Sequence, residues 1–217
     1  MENDDSILLI GDKFPDYELQ TTLGKIRLSE SYSGRWWILL AHPGAFTPIS
    51  TTELIALQNK IVEFKRIGCE IVGLSSDQIF SHIKWKEWIA EKLTVKVEIP
   101  LVADEDGKLA RRLNMIHSRA TLPVRSVVIV DPKGIIRLIM HYPDEIGRST
   151  GELWRAVRAL QVATDQEAYM PADWPKNEVI GNSIVLPPAT DERSAQRRIK
   201  QDRCYDWWFC YRDCKER

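Results

Sequence analysis

The sequence has no excess of charge of either sign: 30 Lys and Arg face 31 Asp and Glu, for a formal net charge of -1. A chain this balanced offers no polyelectrolyte surface, so no nucleic-acid partner is expected. Long apolar runs are missing too. The N-terminus, MENDDSILLIGDKF, starts acidic and has only Ile7 to Ile10 as an apolar run, where a secretory signal needs a basic start and a longer stretch. Nothing approaches the roughly 18 apolar residues of a membrane helix. The expectation is a soluble, cytoplasmic chain with no membrane partner. Internal repeats and low-complexity tracts are also absent.

Cysteine is scarce, and its distribution is uneven. Of the four, Cys69 stands alone at the edge of the apolar stretch EIVGL and reads as a small buried hydrophobe. Cys204, Cys210 and Cys214 fall within eleven residues. A zinc site needs four ligands and closely spaced pairs, and C-x5-C-x3-C with no histidine nearby supplies neither, so no metal is expected. In a reducing compartment, such a cluster reads as redox-active rather than as a structural staple.

A chain of 217 residues buries one substantial core with an appendage more readily than two cores. Short apolar runs, Trp36 to Ala41, Glu70 to Leu74, Val124 to Val130 and Ile135 to His141, read as strands covered on both faces. The last two flank Asp131-Pro132-Lys133-Gly134, a turn in which Pro presets φ and Gly accepts a positive one. They are expected to form a hairpin, which makes the sheet mixed. Helical spacing of apolar residues marks Thr52 to Ile67 and Gln78 to Leu93, the second with Asp77 as its N-cap. Shorter helices are expected at Leu109 to Leu113 and Glu152 to Val162. The fold class is therefore α/β, a mixed central sheet flanked by helices, over residues 1–164. Residues 165–217 read as an arm with too little periodic apolar content for a core of its own, rich in proline and then in charge. Its end, CYDWWFCYRDC, is too apolar to remain in water, and either anchors the arm to its own domain or docks on a neighbouring subunit.

The stretch WWILLAHPGAFTPISTTEL has the order strand, proline-bearing loop, helix. A residue in the first turn of that helix faces unpaired backbone N–H groups and the positive end of the helix dipole, which stabilise an anion. A thiol there is depressed enough in pKa to ionise near neutrality. The hydroxyl of Ser50 is not, and taken alone Ser50 is an ordinary first-turn serine.

Pro43, Thr47 and position 50 stand in the spacing P-x-x-x-T-x-x-C, and the loop HPGAFTPISTTEL resembles the active-site loop of the peroxiredoxins, with Ser50 where the peroxidatic cysteine belongs. GDKFPDYEL and SSDQIFSHIKWKEW resemble the family as well. The proline-rich arm with PADWPKNEVIG and the ending CYDWWFC resemble the archaeal thioredoxin peroxidases, members of the one-cysteine-like subfamily with an extended C-terminal domain. The resemblance implies a thioredoxin-like fold. It also implies reduction of hydrogen peroxide and organic hydroperoxides by a thiolate and sulfenic acid cycle at position 50, with no metal, flavin or other cofactor. It assigns Thr47 to hydrogen-bonding the thiolate and peroxide, and Arg125 to lowering the thiol pKa. Pro43 shields the site, His42 and Glu53 complete its polar shell, and Arg148 is a second arginine. Cys210 is the implied resolving thiol, with pairing of Cys204 and Cys210 within the tail left open, and a thioredoxin-like or other dithiol protein is the implied reductant. Homodimers closing into a decamer ring are the implied assembly.

Three positions depart from the pattern. Gly44-Ala45 lacks the aspartate common in relatives, Ile49 is a mild change, and Ser50 removes the nucleophile. This copy is therefore expected to be inactive as a peroxidase and is read as an engineered cysteine-to-serine variant, because a resolving cysteine without a partner thiol has no use. A natural non-catalytic scaffold or holdase that forms rings is the alternative. A serine hydrolase has no support, since SESYSGRWW and the residues before Ser50 contain no nucleophile elbow.

Overall fold

The computed structural model describes residues 6–116, 119, 122–201 and 203–215. The chain divides into two compact units, Met1–Gly151 and Glu152–Arg217, described here one at a time.

The first unit is built on a seven-stranded sheet. Its strands are β1 (Glu18–Thr21), β2 (Gly24–Arg27), β3 (Trp36–Ala41), β4 (Cys69–Ser75), β5 (Leu101–Ala103), β6 (Arg125–Val130) and β7 (Ile136–Tyr142), in the order β2-β1-β5-β4-β3-β6-β7. β3, β4 and β5 run parallel, while β6 lies antiparallel between β3 and β7, so the sheet is mixed as expected. Every residue of β3 and of β6 is buried, as a strand covered on both faces requires. The expected β6–β7 hairpin forms. Asp131 accepts the backbone N–H groups of Lys133 (2.9 Å) and Ile135 (3.0 Å), and Gly134 takes a φ of +79°.

The helices are α1 (Leu28–Ser31), α2 (Pro48–Asn59), α3 (Ile61–Arg66), α4 (Ile79–Leu93) and α5 (Lys108–Arg112). The single helix expected over Thr52 to Ile67 is two, broken at Lys60 (φ -103°, ψ 4°), yet Leu54, Leu57, Ile61 and Phe64 stay on one buried face across the break. In α4 the buried residues are His82, Trp85 and Ile89, whereas Ile83 and Trp88 of the expected apolar stripe are exposed. The histidine holds a core position there with its Nε2 bonded to Ser75 Oγ at 2.7 Å. On one side of the sheet Trp37 meets Phe14 edge-on at 4.7 Å and stacks on Tyr32 at 5.3 Å.

The second unit contains α6 (Thr150–Gln166), β8 (Ile184–Val185), α7 (Glu192–Gln201), β9 (Arg203–Asp206) and β10 (Phe209–Arg212). The sequence reading places α6 in the first domain, whereas by compactness its residues from Glu152 group with the arm. The arm was also expected to lack a core of its own, and residues 165–217 draw on α6 for one. Ala159 and Val162 of α6 pack with Ala168, Trp174 and Ile184 in a buried cluster, so one helix supplies the periodic apolar face that the arm lacks. β8, β10 and β9 form a small antiparallel sheet. Among the described residues no helix is long and apolar enough to cross a membrane.

Candidate active site

The register of the sheet brings the site together. Ala41, the last residue of β3, pairs with Ser126 of β6, so Arg125 sits beside the C-terminal end of β3 where the chain turns into α2. Two residues 75 apart in sequence are therefore neighbours. The turn from β3 to α2 runs through His42 to Thr47, with Phe46 at a positive φ of 59° and half exposed to solvent. Thr47 is the N-cap residue of α2 in extended conformation, and Pro48 occupies its first position, where the missing N–H costs nothing. Ser50 is then the third residue of the helix. It lies on the face that buries Glu53, Leu54 and Leu57, so its side chain is carried inward. It is 2% exposed.

Ser50 Oγ has two partners. Arg125 Nη1 donates to it at 3.0 Å, and Thr47 Oγ1 lies 2.6 Å away. The Thr47 hydroxyl also lies 2.8 Å from the carbonyl of Gly44, and one proton cannot serve both. With serine at position 50, Thr47 can donate to Gly44 while Ser50 donates to Thr47. An anion at position 50 has no proton to give, and would draw the Thr47 proton to itself.

Glu53 anchors both arginines. Its Oε2 accepts from Arg125 Nη1 at 2.9 Å and from Arg148 Nη2 at 2.7 Å, and its Oε1 accepts from Arg148 Nε at 2.8 Å and from the Arg148 backbone N–H at 2.7 Å. Arg148 Nη1 donates to the carbonyls of Ala41 (2.6 Å) and Ser126 (2.7 Å), tying the ends of β3 and β6 together, and Arg125 Nε donates to Asp144 O at 3.0 Å. Burial pushes the Glu53 carboxyl pKa up, but the hydrogen bonds and charge of Arg148, with the charge of Arg125, outweigh it and hold the group below the usual range. His42 is buried next to this cluster. Its pKa falls to about 3, chiefly by burial and further by His82 and Arg148, so the ring is neutral at pH 7. The cluster thus carries two guanidinium charges against one carboxylate. One positive charge remains, and it faces the hydroxyl of Ser50.

The structure gathers Ser50, Thr47, Arg125, Glu53 and Arg148 into one hydrogen-bonded group, with His42 buried and Pro43 half-buried in the loop above β3. It also shows a residue that sequence reasoning assigned elsewhere. Asp77 does not cap α4; Gln78 holds that position without a side-chain bond. Instead Asp77 Oδ2 accepts from the backbone N–H of Ala45 (2.6 Å) and from Ser75 Oγ (2.7 Å). The Gly44-Ala45 loop, which has no carboxylate of its own, is held by one from the β4–α4 turn. Because Ser75 gives its proton to Asp77, His82 donates to Ser75 from Nε2. The pKa of His82 is lowered to about 4, by burial first, with Asp77 opposing. From the other side, Trp85 Nε1 donates to Thr51 Oγ1 at 3.1 Å, and Thr51 Oγ1 donates to Thr47 O at 2.8 Å, so α4 braces the first turn of α2.

In the second unit Cys204 and Cys210 are cross-strand partners in β9 and β10 and form a disulfide, the pairing the sequence left open. Cys210 is fully buried and Cys204 partly exposed; Cys69 and Cys214 are free. Burial pushes the Cys69 thiol well up, which suits an inert core residue. Among the described residues no group of three or more His, Cys, Asp or Glu is placed to hold a metal ion.

Known proteins share this plan. A peroxiredoxin of Thermotoga petrophila is 51% identical over 209 residues, covering 95% of this chain and 97% of its own. A peroxiredoxin of Archaeoglobus fulgidus is 47% identical over 210 residues, covering 94% and 98%. The crystal structure of a cysteine-to-serine mutant of peroxiredoxin 6 of Arenicola marina matches with a TM-score of 0.82 at 27% identity, covering 97% of this chain and all of that one. The pattern of the AhpC/TSA family matches residues 10–139. The chain belongs to the AhpC/TSA family and is a peroxiredoxin with a thioredoxin-like fold and a C-terminal extension.

Proposed function

We propose that position 50 is the peroxidatic position of a thiol-dependent peroxidase acting on hydrogen peroxide and organic hydroperoxides, and that with Ser50 in place the chain does not turn over. The observation that carries this reading is the pair of groups on Ser50 Oγ, the Arg125 donor and the Thr47 hydroxyl whose proton an anion there would draw to itself, set in a buried cluster with one uncompensated positive charge. That environment suits a thiolate. A neutral hydroxyl gains little from it, and no described base accepts the serine proton to make it a nucleophile.

With cysteine at position 50, the thiolate attacks one peroxide oxygen and the O–O bond breaks. The leaving oxygen departs as hydroxide or alkoxide and is protonated to water or an alcohol. Arg125 and Thr47 hold the thiolate and face the charge that develops on the leaving oxygen. Pro43 shields the nucleophile, while Glu53 and Arg148 act through Arg125, fixing where its guanidinium points. The sulfenic acid is then attacked by the thiol of Cys210, releasing water and forming a disulfide between position 50 and Cys210. The thiolate of Cys204, within bonding distance of Cys210, then attacks Cys210 Sγ and releases the thiolate at position 50, and the resulting Cys204–Cys210 disulfide is reduced by a thioredoxin-like or other dithiol protein. Dimers assembled into a decamer ring, a cytoplasmic location and an engineered origin of Ser50 complete the reading.

The test is Ser50→Cys. Steady consumption of hydrogen peroxide in the presence of a dithiol protein is expected only from this variant. Equal, negligible consumption by both proteins would favour a scaffold or holdase that never uses position 50.

A further inference from the structure

The tail disulfide lies next to an unfilled groove. Within the second unit, a mostly apolar groove of about 460 Å³ is lined by Ala189, Ala195, Ile199 and Trp207, with Asp191 and Glu192 at one end. Ile199 is 56% exposed and Trp207 40% exposed. Trp207 is in the turn between β9 and β10, so the hairpin that carries the disulfide also forms one wall. The other wall is α7, and Cys204 Sγ lies 3.6 Å from the carbonyl of Arg198, the residue before Ile199. α7 has four cations against one acid, Glu192, and its Arg193, Arg197 and Lys200 are exposed.

We infer that this groove is the docking surface for a protein dithiol, and that the incoming thiolate attacks Cys204. Three observations select that occupant. The apolar walls fit the apolar surface that surrounds a protein's exposed dithiol. The disulfide beside the groove gives a thiol-bearing partner a reaction that any other occupant lacks. The two sulfurs are also unequal: Cys204 is partly exposed and Cys210 is fully buried, so attack falls on Cys204.

The exchange balances. The partner's thiolate bonds to Cys204 Sγ, the Cys204–Cys210 bond breaks, and its electron pair leaves on Cys210 Sγ, which takes a proton from solvent. The new thiol lies 3.5 Å from the carbonyls of Asp206 and Trp207, either of which can accept its S–H. The partner's second thiolate then attacks its own sulfur in the mixed disulfide and releases Cys204, which is protonated in turn. The partner ends as a disulfide and the tail as two thiols.

This site faces the reductant of the peroxidase cycle proposed above, but its test needs neither peroxide nor a thiol at position 50. The oxidised chain, with Ser50 unchanged, is mixed with reduced thioredoxin whose resolving cysteine has been replaced by serine, and the trapped mixed disulfide is mapped by peptide mass. The expected adduct is on Cys204. In rate measurements with intact thioredoxin, Trp207→Ala and, separately, Ile199→Ser are expected to slow reduction about tenfold, while reduction by dithiothreitol keeps its rate. An adduct on Cys210 would overturn the proposal. So would unchanged thioredoxin rates in both variants, and a fall in sedimentation coefficient alongside them would assign the groove to a second copy of the chain.

Discussion

Arg125 Nη1 donates to Ser50 Oγ at 3.0 Å and to Glu53 Oε2 at 2.9 Å, so one nitrogen joins position 50 to the buried carboxylate. The carboxylate in turn is held by Arg148 at three donors. Replacing Arg148 by alanine leaves Glu53 buried with Arg125 and the backbone N–H of residue 148, without the second guanidinium, and frees the carbonyls of Ala41 and Ser126. Breaking a buried ion pair from one side costs about 3–5 kcal/mol. Urea denaturation of Arg148→Ala is expected to show a loss of that order, with an unchanged slope.

Thr47 is expected to matter to activity once the nucleophile is present. In a Ser50→Cys background, Thr47→Val removes the hydroxyl that lies beside position 50 and can donate to a thiolate there. Peroxide consumption is expected to fall roughly 100-fold, the size found for loss of one preorganised donor. In the Ser50 chain the same change leaves the Gly44 carbonyl without its Thr47 donor and the Ser50 hydroxyl without its acceptor, and the expected effect is on stability alone, a loss of about 1–3 kcal/mol in thermal unfolding.

Much of this geometry was legible in the sequence. The stretch WWILLA gave its strand to the residue, because a covered strand must be apolar throughout, and the spacing of Pro43, Thr47 and Ser50 marked the loop that the fold brings to Arg125. The β1–β2 hairpin at one sheet edge went unread, since ELQT and GKIR alternate too weakly and are too short to show a period of two. Asp77 misled because a carboxylate before a helix is a good cap locally, and only the tertiary approach of the Ala45 N–H gives it a different partner. The arm's core was illegible for a similar reason: its apolar partner, α6, lies before the composition changes.

Asp77 supports the loop through a single carboxylate oxygen. Asp77→Ala is expected to leave the Ala45 N–H and the Ser75 hydroxyl without their acceptor, at a cost of about 1–3 kcal/mol. The specific signature is faster hydrogen exchange at Ala45 than in the parent protein, with exchange in β3 changing less.

Acid should destabilise the fold earlier than carboxylates alone explain. His42 and His82 are neutral in the fold, with pKa values near 3 and 4 against an ordinary value of 6.5. Between those values the unfolded chain binds protons that the folded chain refuses, so stability falls as pH drops below about 6.5. The loss is about 1 kcal/mol per pH unit for each histidine at its steepest. Glu53, whose pKa is depressed, adds a further loss only as pH passes below the ordinary carboxylate range. Urea midpoints between pH 7.5 and pH 4.5 are expected to decline already in the upper half of that range, and His42→Phe is expected to flatten the slope.

The most direct measurement is the pKa of the thiol placed at position 50 by Ser50→Cys, followed by ultraviolet thiolate absorbance against a control without that thiol. Two donors, a helix N-terminus and an uncompensated guanidinium charge should bring it at least about 2 units below the ordinary 8.5, so that the thiolate predominates at pH 7. A value at or above 8.5 would contradict the account, because it would mean that the cluster around Ser50 is not built to hold an anion.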